Sequence, residues 1–237
     1  MKIFSFNNIG SRASQEDSVL LDQKHRIFAV LDGVGSNQNG GLASRIIKQY
    51  LEQVLAETKP SFDVEDIREL IIKSENELAK TFEKNSNYKN MATTIALLFL
   101  CDDNRATSFH LGDSRVYYFE HKNNNWSVTK DHSMYQYLID NGSSVEEGDY
   151  RKNQLTDALT TKKRAEPLIL RKSTIENLND GDLFLLVTDG ALENHSDKDL
   201  TKHFFNDGIT LEDKWKQFST LCETNSQDNN SAILIQL

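Results

Sequence analysis

The sequence predicts an α+β fold, a layered sandwich of paired strands covered by helices rather than a parallel sheet with alternating helices. Three observations carry that expectation. Two amphipathic helices follow one another with no strand between them, short apolar runs come in pairs separated by turns, and one further helix lies between two apolar strands near the end. Taken in order, Val19–Leu21 and Ile27–Leu31 are joined by the polar Asp-Gln-Lys-His-Arg, which predicts a hairpin. Ala43, Ile46, Ile47, Tyr50, Leu51, Val54 and Leu55 recur at steps of three and four, one face of a helix. A second helix is predicted from Val64 to Phe82, with Ile67, Leu70, Ile71, Leu78 and Phe82 on its buried side. Thr94–Leu100 is apolar throughout and too short for a typical helix, so it predicts a strand buried on both faces. Ala106–His110 and Arg115–Phe119 flank Leu-Gly-Asp-Ser and predict a second hairpin, with a short strand at Val128–Thr129. Residues 142–161 are polar and weakly patterned and predict a mobile insertion. Leu183–Val187 and Ala232–Leu237 predict buried strands, and Trp215, Phe218, Leu221 and Cys222 the helix between them.

The chain has 237 residues with 36 acidic and 27 basic side chains, a formal charge of −9. At roughly 150 residues per domain this length allows one large domain or two small ones. Without repeats or a Pro- or Gly/Ser-rich linker, the expectation is a single domain over residues 1–237, free-standing and monomeric. The acidic balance disfavours nucleic acid as a partner. The longest apolar stretch, Ile95–Cys101, is far short of a membrane span. The first ten residues turn polar too soon for a secretory signal, and two cysteines, Cys101 and Cys222, make no disulfide framework. A soluble, cytoplasmic protein is expected.

The chemistry is written in where the acids stand. Asp32 follows Ile-Phe-Ala-Val-Leu and precedes Gly33; Asp189 follows Leu-Phe-Leu-Leu-Val-Thr and precedes Gly190. Asp113 sits in the Gly-Asp turn after Ser-Phe-His-Leu, Asp228 stands before the last strand, and Glu16-Asp17 before Val-Leu-Leu. A single Asp-Gly is ordinary turn chemistry. Repetition at strand ends is not, because a strand end holds a carboxylate rigidly and a following glycine admits a close ligand. Clustered carboxylates repel unless a cation joins them, and oxygen ligation selects Mg²⁺, Mn²⁺ or Ca²⁺. Two such ions, roughly 3.5–4 Å apart, can share a hydroxide and hold a phosphoryl oxygen opposite it. Arg12, four residues before Glu16, carries a fork suited to phosphate.

With these residues assembled, the chain resembles the type 2C family of metal-dependent Ser/Thr protein phosphatases. The segments that carry the resemblance occur in family order: Arg12-Ala-Ser-Gln-Glu-Asp17, Val30-Leu-Asp-Gly-Val-Gly35 with Gly40-Gly41-Leu-Ala-Ser44, Met91-Ala-Thr-Thr94, Gly112-Asp-Ser-Arg115, Thr129-Lys-Asp-His-Ser133, Thr188-Asp-Gly190 and Asp228-Asn229. The resemblance implies a four-layer αββα sandwich, two antiparallel sheets flanked by helix pairs with a dinuclear metal site between the sheets. It implies Mn²⁺ or Mg²⁺ as cofactor, two ions with a third, looser one. Asp32 would bridge the pair, Gly33 would offer its carbonyl, Asp189 and Asp228 would complete one shell, and Glu16 and Asp17 would act at or near the site, partly through water. Asp113 matches the position that helps hold the third ion, and Arg12 the phosphate-binding arginine. The implied reaction hydrolyses phosphoserine and phosphothreonine in proteins phosphorylated by a Ser/Thr kinase. A metal-bridging hydroxide attacks in line and no phosphoenzyme forms.

The sequence departs from the family pattern in places. Val34 stands where some members carry a histidine proposed to protonate the leaving group, as in bacterial members, which leaves the general acid unassigned. Gln15 and Asn90-Met91-Ala92 replace other residues without removing a ligand. The segment from about 133 to 165 aligns with a variable flap, and Lys162-Lys163-Arg164 is expected to steer acidic phosphopeptides toward an acidic site. Gly35–Gly40 has P-loop glycine spacing, but Gly41-Leu42 follows instead of Lys and a hydroxyl residue. Cys101 and Cys222 lack an arginine six residues on, which excludes that class of thiol phosphatase, and no histidine pair has zinc spacing. His132 is expected to be a structural hydrogen-bonding residue rather than a base. The rival is a weak or inactive module of the same fold that binds a phosphoprotein or regulatory partner; the presence of Asp17, Asp32, Asp189 and Asp228 argues for catalysis. A metal phosphodiesterase shares the chemistry but has no feature in its favour.

Overall fold

A strand that is apolar at every position needs apolar neighbours on both faces, and that requirement organises the chain into layers. The structure is a computed structural model, which describes residues 1–35, 39–57, 61–84, 90–145, 154–162, 164 and 166–237. One five-stranded antiparallel sheet contains β2 (Ser18–Asp22), β3 (Ile27–Leu31), β6 (Ile95–Leu100), β7 (Ala106–Leu111) and β11 (Arg171–Ile175), in the order β11-β7-β6-β3-β2. The other contains β1 (Lys2–Asn8), β8 (Arg115–Glu120), β9 (Asn125–Val128), β12 (Leu183–Val187) and β13 (Asn230–Gln236), in the order β1-β13-β12-β8-β9. A small third sheet joins the two-residue strands β4 (Gly33–Val34), β5 (Ala92–Thr93) and β10 (Leu159–Thr160).

Side chains alternate between layers as the period of two demands. Ile27, Ala29 and Leu31 of β3 and Ile95, Leu97 and Phe99 of β6 face the core shared with α1 (Asn39–Glu57) and α2 (Val64–Lys84). Phe28, Val30, Ala96 and Leu98 face the opposite way and meet Phe184, Leu186, Ile233 and Ile235 of the other sheet. Leu183, Leu185, Ala232 and Leu234 then pack against α4 (Asp197–Phe204) and α5 (Leu211–Asn225), through Phe204 and Phe218. The αββα sandwich follows. The side chain of Phe82 lies outside the described residues.

One predicted pairing is overturned, with consequences for the site. Ala106–His110 and Arg115–Phe119 do not form a hairpin: β7 pairs with β6 and β11, and β8 pairs with β12 and β9. Gly112–Ser114 therefore carries the chain from one sheet to the other, which places Asp113 between the layers. The elements that went unpredicted include β1, the short β4, β5 and β10, β11, α4 and α3 (Met134–Asp140), the last capped by the Ser133 hydroxyl accepting from the Gln136 N–H. The predicted mobile insertion includes residues 146–153, which lie outside the described residues. Among the described residues no helix is long and apolar enough to cross a membrane.

The expected steering role of Arg164 is also corrected. Its Nε donates to both carboxylate oxygens of Glu75 at 2.9 and 3.0 Å, Nη1 to Asp157 at 2.9 Å and Nη2 to the Ala158 carbonyl. Glu75 is buried on α2, so this guanidinium neutralises an interior acid and is not offered to a ligand. Lys162 is exposed, and Lys163 lies outside the described residues. Arg164→Ala, which strands the Glu75 carboxylate, is expected to cost about 3 kcal/mol. Urea unfolding checks this, and a midpoint equal to that of the wild type would refute the assignment.

Candidate metal centre

At the open ends of the central strands the backbone turns away and leaves carboxylates behind. Asp32 is the residue between β3 and β4; its N–H donates to the Thr94 hydroxyl at 2.9 Å, and its carbonyl accepts from the Thr94 N–H and Thr93 hydroxyl, each at 2.8 Å. Thr94 also bonds the Ser114 hydroxyl at 2.6 Å, so a single threonine ties the Asp32 turn to the Asp113 turn. Gly33 packs so tightly on Gly40 that a Cβ at Gly33 would stand 2.3 Å from the Gly40 carbonyl. Asp189 opens a 3-10 turn, Asp189–Leu192, directly after β12 and Thr188. Asp228 stands two residues before β13, and Arg12 Nη2 donates to its Oδ2 at 2.5 Å.

Arg12, Glu16, Asp32, Gly33, Asp113, Asp189 and Asp228 line one cleft of about 510 Å³ together with Leu155 from the flap segment. Asp17 stands behind it: its Oδ2 accepts from the hydroxyls of Thr188 at 2.9 Å and Ser231 at 2.8 Å, and it is buried. A larger cavity, about 1260 Å³, lies between α2 and residues 160–168. There Arg68, Lys80, Lys162 and Arg164 offset the acids, so that cavity makes no demand for a cation.

The cleft does make one. Burial first, then Asp189, Asp17 and Asp113, hold the Asp32 carboxyl far above the ordinary range. Burial and neighbouring Asp189 and Asp131 push Asp113 up to about 8. Burial pushes Asp17 up to about 7 against the pull of its two hydroxyl donors, and Asp189 is raised chiefly by burial. Asp32 and Asp189 are close enough to raise the cost of ionising both, an arrangement two ionised carboxylates do not sustain without a cation. Asp17 Oδ1 and Asp189 Oδ1 are buried without a hydrogen-bond partner. Among the described residues no three His, Cys, Asp or Glu side chains converge closely enough to ligate an ion as they are placed. The donor types present could nevertheless serve one. They are carboxylates and a backbone carbonyl, with orphaned acceptor oxygens and raised pKa values, which suits hard divalent cations rather than zinc or copper.

Several supporting residues carried no role in the sequence reading. Asn229 accepts from the Glu16 N–H at 2.9 Å and donates to the carbonyls of Ile9 and Ser14 at 2.8 and 3.0 Å, stapling the Arg12-bearing segment to the start of β13. Thr94, Thr188, Ser231 and Asn229 all fall within or beside the quoted motifs, which was the one signal that could have found them.

Comparison with known proteins places the chain in a family and agrees with its fold. The family described as protein phosphatase 2C matches residues 7–231. The serine/threonine phosphatase stp of Listeria monocytogenes serotype 4b (strain F2365) is 24% identical over 216 residues, covering 88% of this chain and 83% of that protein. The Mycobacterium tuberculosis serine/threonine phosphatase PstP/Ppp superposes with a TM-score of 0.85 at 23% identity, covering 100% of this chain and 98% of that one. The catalytic domain of serine/threonine protein phosphatase PstP, in complex with two manganese ions, gives a TM-score of 0.81 at 22% identity over 98% of this chain and 96% of that one.

Proposed function

Because the chain belongs to the protein phosphatase 2C family, we propose that it is a single catalytic domain that hydrolyses phosphoserine and phosphothreonine in proteins. The observation that carries this reading is the gathering of Asp32, Asp113, Asp189 and Asp228 into one cleft with Arg12 at its rim. Asp32, the Gly33 carbonyl, Asp189 and Asp228 would hold two divalent ions, with Glu16 and Asp17 behind them and Asp113 toward a third. When bound, Mn²⁺ or Mg²⁺ supplies an activated water and positive charge for the phosphoryl oxygens.

The protein's own groups do the rest. The rigid turns at Thr94 and Thr188 hold the acids in place, so the site is organised before substrate arrives. The Arg12 guanidinium is exposed and, among the described residues, donates only to Asp228, which leaves N–H groups for a phosphate oxygen. Among the described residues the cleft lining has no cysteine, histidine or lysine, and its one serine, Ser14, donates to Glu16 at 3.3 Å with no histidine or lysine base beside it, so direct in-line attack by water without a phosphoenzyme is the route we assign. Val34 offers no proton to the leaving alkoxide, so solvent in the cleft is the donor we assign. The substrates are products of Ser/Thr kinases, and the free thiols of Cys101 and Cys222 suit a reducing, cytoplasmic setting.

The test is phosphate release from a phosphothreonine peptide with and without Mn²⁺. Mn²⁺-dependent release is expected, and Arg12→Ala is expected to lower kcat/KM by about 100-fold, as loss of a preorganised charge does. Mn²⁺ binding without any release would overturn the catalytic reading in favour of a phosphoprotein-binding module.

A further inference from the structure

The steps above make no use of His132, yet contacts from three directions meet on it. Its backbone N–H donates to the Gly112 carbonyl at 2.8 Å, and its ring Nδ1 accepts from the Gly112 N–H at 3.1 Å. One residue thus holds both polar groups of the glycine that immediately precedes Asp113. The ring stacks on His110 with centroids 4.7 Å apart and planes 15° from parallel. His110 is fixed in turn by its Nε2 bonding the Lys130 carbonyl at 2.8 Å. On the far side the His132 carbonyl accepts from the Thr156 N–H at 2.8 Å, and Ser133 bridges to Leu155, a wall of the acid cleft.

The turn that His132 grips has no slack. Gly112 has φ +99°, and a Cβ there would stand 2.6 Å from the Thr94 side chain. The Asp113 turn is therefore held between Thr94, which also holds Asp32, and the His132 ring. An Nδ1 that accepts carries no proton, so the neutral ring bears its hydrogen on Nε2, a buried atom with no partner among the described residues. Burial, the stacked His110 and Arg171 keep the ring neutral by pushing its pKa down to about 4.

We infer that His132 is a positioning residue: by accepting the Gly112 N–H it sets where the Asp113 carboxylate stands, and so how tightly the cleft holds its most loosely bound divalent cation. This rests on the metal-phosphatase reading. It also couples that carboxylate to the flap base, because one residue carries both the Gly112 clamp and the bond to Thr156.

Two variants of the full chain separate the acceptor from the ring. His132→Phe keeps a ring to stack on His110 and removes the acceptor; His132→Asn discards the ring and returns an acceptor oxygen near the place of Nδ1. Both are read by calorimetric Mn²⁺ titration and by hydrogen exchange of the Gly112 amide. In His132→Phe the weakest Mn²⁺ step is expected to weaken about ten-fold and Gly112 to exchange about ten-fold faster, with His132→Asn recovering most of both. A His132→Phe isotherm equal to wild type overturns the inference, as does a His132→Asn variant as impaired as His132→Phe, which would make the ring's packing the cause. If His132→Phe fails to fold, His132→Asn decides alone. In that case His132→Asn supports the inference if Gly112 protection and the weakest Mn²⁺ step are kept together or lost together, and overturns it if one changes without the other. Wild-type protein that binds no Mn²⁺ would instead bring down the metal reading itself.

Discussion

Replacing Asp32 or Asp189 with Asn is expected to abolish phosphothreonine hydrolysis, lowering kcat/KM by about 1000-fold, while making the chelated protein more stable. Both effects come from one fact. Asp32 is held far above its ordinary pKa by burial and by Asp189, Asp17 and Asp113, so its charge is costly to the fold before any cation joins the cluster. An Asn of the same shape needs neither that charge nor the proton that would neutralise it, and its amide can donate to the neighbouring Asp189 carboxylate. Each kcal/mol so recovered raises Tm by about 2–4 °C in a chain of this size. The same exchange takes away a ligand charge, which the proposed chemistry cannot spare. Stability and activity moving in opposite directions is the mark of a functional site rather than a structural one. Peptide hydrolysis with Mn²⁺, beside thermal melts in EDTA, checks both halves. A variant that keeps a tenth of the activity, or that melts lower than wild type, would sink the argument.

How much of this could be read from the chain depended on whether the physical signal was local. Ile27–Leu31 and Leu183–Val187 were legible because burial on both faces writes an unbroken apolar run. The acids that end those runs were legible for the same reason, since Asp32 interrupts the first at once and Asp189 follows the second after a single threonine. By contrast, β11 is Arg-Lys-Ser-Thr-Ile, an edge strand exposed along most of its length, held by backbone pairing with β7, one Thr174–Thr107 hydroxyl contact at 3.2 Å and the packing of its last residue, Ile175. No side-chain pattern announces it. β1 did carry a signal that was passed over, the alternation of Phe4 and Phe6, which stack on Trp215 of α5. The turn at Gly112 shows the harder limit. A hairpin and a crossing between sheets can use the same Leu-Gly-Asp-Ser, and the choice is made by partner strands far off in sequence. The supports of the site were hidden in the same way: Thr188 and Ser231 hold Asp17 across separations of 171 and 214 positions.

The stability of the protein in EDTA is expected to fall between pH 6.5 and 8.5, by about 2 kcal/mol, and Mn²⁺ to abolish that fall. The sign follows from proton counting. An acid whose folded pKa lies above its unfolded value, near 4, binds more protons in the folded state at every pH between the two, so raising pH across that interval favours unfolding. Asp17 at about 7 and Asp113 at about 8 place the upper end of the interval. At lower pH an opposite trend intervenes. His132 is pushed down to about 4, and burial also lowers His110 and His195, so these rings bind fewer protons folded than unfolded and gain stability as pH rises toward 6.5. Against them stand the raised carboxyls, so the decline is clearest above pH 6.5, where the histidine contribution fades and the acids of the cleft dominate. Divalent cations compete with those protons directly. At one hundred times Kd, Mn²⁺ adds about 2.7 kcal/mol, and its affinity rises with pH because binding expels the protons that the acids retain. Urea unfolding at pH 6.5 and 8.5, each with EDTA and with Mn²⁺, resolves the effect. A flat profile in EDTA would mean that the acids ionise without penalty, and an unchanged slope in Mn²⁺ would mean that the ion binds elsewhere. Asp113→Asn should make the decline near pH 8 shallower, because it deletes a group that titrates at about 8 and leaves Asp17 at about 7 and the raised Asp32.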